Sequence, residues 1–183
     1  LPITGDLKFG ARHIWAGQIE AILNAIPGKK ILYTFSMPST AAFEAIANRK
    51  AEDISAWVCD GGPFGQILRC TWNLLTHEQK IESKILRAAS TGLSYFFFGL
   101  GLEKQVQQWS RSLPKDFPIF SIRGEKDPLV PPSAIEDMFA EADQVDLKVL
   151  TLPDGGHLDG LKNFPDLYKP AVERFLKRSA KPV

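Results

Sequence analysis

Cysteine is scarce in this chain: two in 183 residues, Cys59 and Cys70. That is too few for a disulfide framework, and the pair lacks the closely spaced further ligands of a zinc site. Cys59 falls in an apolar, strand-like run and reads as a small buried residue. No charge of one sign prevails, because 22 Lys and Arg face 21 Asp and Glu for a net charge of +1. With no basic run and no nucleic-acid-binding motif, nothing points to DNA or RNA as a partner. The longest apolar stretch, Leu93 to Leu102, is too short to span a bilayer. There is no Gly-x-Gly-x-x-Gly, no Walker motif and no His, Asp or Glu cluster at metal spacing, so no cofactor or metal is expected. The chain opens on Leu1, and its first residues assign no compartment.

What is present is a soluble-domain composition, 44% apolar and 23% charged, in a length that suits one good core. Four short apolar runs read as strands buried on both faces: Lys30–Phe35, Ile54–Val58, Pro118–Ile122 and Leu147–Leu152. Helical patterns lie around them. Ile14, Gln18, Ile19, Ile22, Leu23 and Ile26 form an amphipathic stripe, and a helix is expected over Thr40–Asn48. Ser133 and Glu136 have the spacing of a capping box. Pro170 is expected to open a last helix carrying Val172, Phe175 and Leu176 on one face. Strands alternating with helices predict an α/β fold, a mostly parallel sheet with helices on both faces. Between Phe64 and Lys115 the alternation stops. Helices are expected there over Gln66–Leu75 and Lys80–Ala89, with a second capping box at Thr76–Gln79 and an aromatic run Tyr95-Phe96-Phe97-Phe98.

Three chemistry-bearing residues each follow a strand-like run: Ser36 in Thr34-Phe35-Ser36-Met37-Pro38, Asp127 in Gly124-Glu125-Lys126-Asp127-Pro128, and His157 after Gly155-Gly156. Serine, then aspartate, then histidine is the chain order of the α/β-hydrolase triad. The layout from about Gly10 to Phe175 resembles that family, most closely in Phe117–Pro132, where a strand ends in glycine and an acidic loop precedes a Val-Pro pair. The resemblance departs from the family at the nucleophile elbow, written Gly-x-Ser-x-Gly, because Thr34 and Pro38 occupy the glycine positions.

The resemblance implies a serine hydrolase of carboxylic esters or thioesters that works through an acyl-enzyme. Ser36 would be the nucleophile, His157 the base, Asp127 the acid that orients it, and the Met37 amide the first oxyanion donor. Asp60, at the end of the second strand, is the reserve acid; His13 and His77 are poorer candidates for the base. The stretch 64–115 is expected to be a cap inserted in a single domain, with Tyr95, Phe96, Phe97 and Phe98 either lining an acyl pocket or packing the cap onto the sheet. Two other readings use the same residues: an acyltransferase, and a hydrolase-like scaffold that binds a partner or acyl ligand without turnover.

Members of the family place several strands before the nucleophile strand, and only 35 residues precede Ser36 here. Upstream strands are therefore expected to be absent, with Leu1–Lys8 the tail of a preceding loop. The strand 30–35 would then present an open edge to a missing N-terminal segment or a second chain.

Overall fold

The computed structural model describes residues 11–180; the reading of Leu1–Lys8 lies outside them. Four parallel strands, β1 (Lys30–Phe35), β2 (Ile54–Asp60), β3 (Pro118–Gly124) and β4 (Asp146–Leu152), form one sheet in the order β1-β2-β3-β4. Register runs from Lys30 opposite Ile54 through Cys59 opposite Ser121 to Ile122 opposite Leu150. The helices are α1 (Ala11–Ala25), α2 (Pro38–Asn48), α3 (Ile67–Asn73), α4 (Lys84–Ser94), α5 (Leu102–Ser112), α6 (Pro132–Phe139), α7 (Gly160–Asn163) and α8 (Pro165–Ser179).

Side chains alternate across the sheet as the strand period requires. Trp57, Cys59 and Ile119 point into one core with Phe43 and Ile46 of α2, Val106 and Trp109 of α5, and Ile135 and Met138 of α6. Ala56, Val58, Phe120 and Ile122 point to the other face, against Tyr168, Val172 and Phe175 of α8. The expected α/β layering is therefore present, with helices on both faces. Only β2 and β3 are buried on both faces, however. β1 and β4 are largely half-buried, because each has a neighbour on one side alone among the described residues.

Three boundaries differ from the sequence expectation. α6 opens at Pro132 after Pro131, so Ser133 lies inside the first turn and makes no cap; Glu136 instead pairs with Arg123 at 3.4 Å. A proline's fixed φ suits the first helical position, and the start lies two residues ahead of the one a Ser133 cap implies. Thr76 is also not a cap. α3 runs on into a π-helical turn, Leu74–Glu78, in which the Thr76 hydroxyl donates back to the Trp72 carbonyl at 2.7 Å. The cap of the next helix is Ser83, whose Oγ accepts the Leu86 N–H at 3.3 Å. Finally, Pro170 lies within α8, which begins at Pro165. The ring removes one backbone bond, at a cost of about 3 kcal/mol in an isolated helix. Packing of Tyr168, Val172 and Phe175 on the sheet offsets that.

Residues 84–112 include one helical run that is long and apolar enough, by length and composition, to cross a membrane. It exceeds the Leu93–Leu102 stretch considered above. Leu100 is extended and Gly101 has φ 71, so the run turns there into polar α5, with Glu103, Lys104, Gln105 and Arg111.

Candidate active site

All four strands are parallel, so the loops that follow them open on one edge of the sheet, where ligands collect in open α/β folds. Ser36 follows β1, Asp127 lies in the loop after β3, and His157 in the loop after β4. The three meet. Ser36 Oγ is 2.9 Å from His157 Nε2, and His157 Nδ1 is 2.7 Å from Asp127 Oδ2. A carboxylate beside Nδ1 places the ring proton there, so Nδ1 donates to Asp127 and Nε2 accepts from the serine hydroxyl. Asp127 is buried, and its second oxygen is held by the N–H groups of Leu129 at 2.8 Å and Val130 at 2.9 Å.

The turn at the serine is strained. Ser36 has φ 48, a left-handed conformation that costs a non-glycine residue about 1 kcal/mol or more. Its N–H donates to the Asp60 carbonyl at 2.8 Å, and its carbonyl accepts from Ser39 N at 3.0 Å. Met37 stands at the N-cap of α2, with Pro38 in the first turn. Pro38 has no N–H, and those of Ser39 and Thr40 bond the Ser36 and Met37 carbonyls, so the Met37 N–H is the group at this helix start that can serve an anion.

No protein-family model matches the chain, and no curated protein matches it by sequence. Solved structures match it closely in shape. An esterase of Pyrococcus furiosus superposes with a TM-score of 0.65 at 19% identity, over 96% of this chain and 65% of that one. A monoacylglycerol lipase of Paleococcus ferrophilus gives 0.63 at 13% identity, covering 92% and 76%. A meta-cleavage product hydrolase of Pseudomonas fluorescens gives 0.58 at 14%, covering 97% and 75%. The fold is that of the α/β-hydrolases. The chain spans about two thirds of the length of the first of these neighbours, and 52% of the same esterase in a second crystal form.

Within the α/β-hydrolase fold the elbow departs from Gly-x-Ser-x-Gly, and the structure shows how Thr34 is accommodated. Its side chain is buried between strands. Its Oγ1 accepts the indole N–H of Trp57 at 2.9 Å and lies 3.4 Å from the Val58 carbonyl. The space and freedom that the family's elbow glycines supply come here from the facing loop. A Cβ on Gly62 would sit 2.5 Å from the Ser36 carbonyl oxygen, closer than any real contact. Thr34→Gly is therefore expected to destabilise the protein by about 1–3 kcal/mol, because it orphans the buried Trp57 N–H. Denaturant unfolding measures this.

Gly124 plays the matching part on the acid side. A Cβ there would lie 2.4 Å from the Gly155 oxygen and 2.6 Å from that of Gly156, the two residues before His157. Gly124→Ala is expected to push the histidine loop away and to lower kcat/KM for an activated ester roughly 10²-fold, the cost of an ångström-scale misplacement. Sequence reading missed Gly62 and Gly124 as site residues. Their signal, a glycine within two residues of a strand's C-terminal end, is visible, but the contact that demands it is not.

Asp60 is occupied elsewhere. Its carboxylate accepts from the Tyr168 hydroxyl, which in turn bonds Tyr33. Burial raises its pKa, against the lowering effect of the Tyr168 hydrogen bond. A carboxyl raised in the folded state loses stability as pH climbs through its unfolded value and on past the folded one. Asp60→Asn keeps an acceptor for Tyr168, so it is expected to be more stable than the parent at pH 7 and equal to it below about pH 4. Thermal unfolding at the two pH values reads the sign.

His13 bonds Glu44 at 2.6 Å between α1 and α2, and His77 is exposed on the π turn; neither approaches Ser36. The Cys59 and Cys70 thiols are buried, and burial pushes Cys70 up to about 12. Two members of the aromatic run, Tyr95 and Phe98, pack elsewhere. Tyr95 lines a cavity of about 610 Å³ with Gln66, Val106 and Met138, and none of Ser36, Asp127 or His157 lines it. Phe98 packs on Trp15 with ring centroids 5.6 Å apart.

Proposed function

We propose that the chain is the catalytic portion of a serine hydrolase acting on carboxylic esters or thioesters. The observation that carries this is the continuous hydrogen-bonded line from Ser36 Oγ through the imidazole to Asp127. Ser36 Oγ attacks the acyl carbon as its proton passes to His157 Nε2. The oxyanion formed lies against the Met37 N–H, and Asp127 stabilises the imidazolium. Collapse expels the alcohol or thiol, which takes the proton from Nε2, leaving an acyl-Ser36 ester. Water, deprotonated by the same nitrogen, attacks that ester and restores the serine. Tyr95 and Phe98 stand outside this proposal, since Tyr95 faces a different cavity and Phe98 packs on Trp15 of α1.

A second part of the proposal concerns β1. Its outer edge has no neighbouring strand among the described residues, and Phe35, Leu158 and Leu161 are exposed beside it around a cavity of about 370 Å³. Together with the length difference from the solved neighbours, this supports a further strand on that edge, from an upstream segment or a second chain. Such a strand would also bring the second oxyanion donor, worth roughly 3–4 kcal/mol in the transition state.

The test is intact-mass analysis after treatment with a fluorophosphonate, on this chain and on one extended upstream, each with a Ser36→Ala control. One adduct lost in the control supports the proposal, and an adduct confined to the extended chain supports its second part. No adduct in either folded form overturns both.

A further inference from the structure

Helix α4 is amphipathic, and it is turned inside out. Its polar side faces the protein. Arg87 donates to Thr76 Oγ1 at 2.8 Å and lies 4.7 Å over the Trp72 ring, and Thr91 is buried. Its apolar side faces outward. Ile85 is 84% exposed and Leu93 59%, and the stripe continues through the π turn 95–99 to Phe96 at 48% and Leu100 at 47%. Ala88, Ala89 and Gly92 lie exposed between them, and a Cβ built on Gly92 meets nothing within 4 Å. Across the most apolar window of residues 84–112, only 17% is buried. An outward apolar face of this length, about 22 Å from Ile85 to Leu100, marks an interaction surface.

The order of sizes along the stripe says what fits it. In an antiparallel pair of this helix with a twofold axis between residues 92 and 93, each large residue meets a small or complementary one. Phe96 falls opposite Ala89, Leu93 opposite Gly92, and Ile85 opposite Leu100. Small residues at the crossing let two helix backbones approach closely, and a twofold interface requires this kind of self-complementarity. The exposed surface of Ile85, Leu86, Leu93, Phe96 and Leu100 is on the order of 600 Å² per copy, at the lower end of the roughly 600–1,000 Å² per partner of specific interfaces.

We propose that the outer face of α4 docks antiparallel on the same face of a second copy of this chain, centred on Gly92 and Leu93. This stands independently of the catalytic proposal, since none of its residues touches Ser36, His157 or Asp127.

The test is sedimentation velocity on the full chain over roughly 1–100 µM, with two variants. Leu93→Asp puts a charge at the axis. Gly92→Leu adds apolar surface and improves helix propensity, yet fills the crossing, so its effect cannot come from unfolding. The parent is expected to show a concentration-dependent dimer, and each variant at least tenfold weaker association with unchanged far-UV circular dichroism. Leu93→Cys is expected to form a homodimeric disulfide under mild oxidation. Ile85→Cys is not, because its own copy lies about 22 Å away across the axis. A parent that is monomeric throughout overturns the proposal, as does a dimer that keeps its affinity in Gly92→Leu. A monomer that floats with phosphatidylcholine vesicles, more strongly in Gly92→Leu, would assign the face to lipid instead.

Discussion

Replacing Ser36 by alanine is expected to lower the hydrolysis of short acyl esters by about 10⁴-fold or more while leaving the fold intact. The size follows from the way a hydrogen-bonded nucleophile and base act as a unit, so that losing the attacking atom forfeits the covalent route entirely. The fold should survive because the serine side chain contributes only its bond to His157. The turn is held instead by backbone bonds, Ser36 N–H to the Asp60 carbonyl and Ser39 N–H to the Ser36 carbonyl. Alanine also inherits the left-handed φ of 48 at a similar strain. Steady-state kinetics on an activated ester, with thermal unfolding alongside, measures both halves. A variant that retains turnover would remove Ser36 from the mechanism.

Asp127→Asn carries the second large effect, and its expected signature is different. Asp127 uses one oxygen to accept the Leu129 and Val130 N–H groups and the other to accept from His157 Nδ1. An asparagine can keep its oxygen on the two backbone amides, which preserves the loop. Its amide then presents a donor to Nδ1, which forces the ring proton onto Nε2, where it blocks acceptance from Ser36. A loss of roughly 10⁴-fold in kcat at neutral pH is expected with little change in stability. Asp127→Ala should lose comparable activity and, in addition, about 1–3 kcal/mol of stability, because two buried N–H groups are left without an acceptor. Comparing the two variants by kinetics and denaturant unfolding separates the electrostatic task of the carboxylate from its structural one. Equal stability losses in both would show that the loop, not the tautomer, accounts for the effect.

The two expectations rest on features of unequal visibility in the sequence. The strands were readable because each is a short apolar run bounded by Gly, Pro, Asp or Lys, and a strand's identity is a local matter of pattern. The order Ser36, Asp127, His157 was readable for a related reason: parallel topology sends every strand-following loop to one edge, so residues over a hundred positions apart fall together once the sheet forms. Helix boundaries were less legible. Ser133 and Thr76 fit the capping pattern, but Pro132 and the π turn after α3 moved the helix starts, and Pro170 was absorbed into α8 by the packing of its neighbours on the sheet. In each case a tertiary contact or an adjacent residue outweighed a local preference, about 1 kcal/mol for a cap and about 3 kcal/mol for the proline.

What the sequence determined by itself was the α/β alternation and the chemistry that could be assembled at one edge, because both follow from residue types and their order. Tertiary structure decided what depends on distance. It showed that Thr34 fits beside Ser36 because the Trp57 indole satisfies its hydroxyl, and that Gly62 and Gly124 are required because a Cβ at either would come within 3 Å of a neighbouring backbone oxygen. It packed Tyr95 into a separate cavity and Phe98 onto Trp15, since the direction of an insertion is set by what it packs on and not by its own composition. It also turned the apolar face of α4 outward, with Arg87 bonded to Thr76 on the inner side and Thr91 buried there. A periodic pattern fixes which residues share a helix face; only the neighbours fix which way that face points.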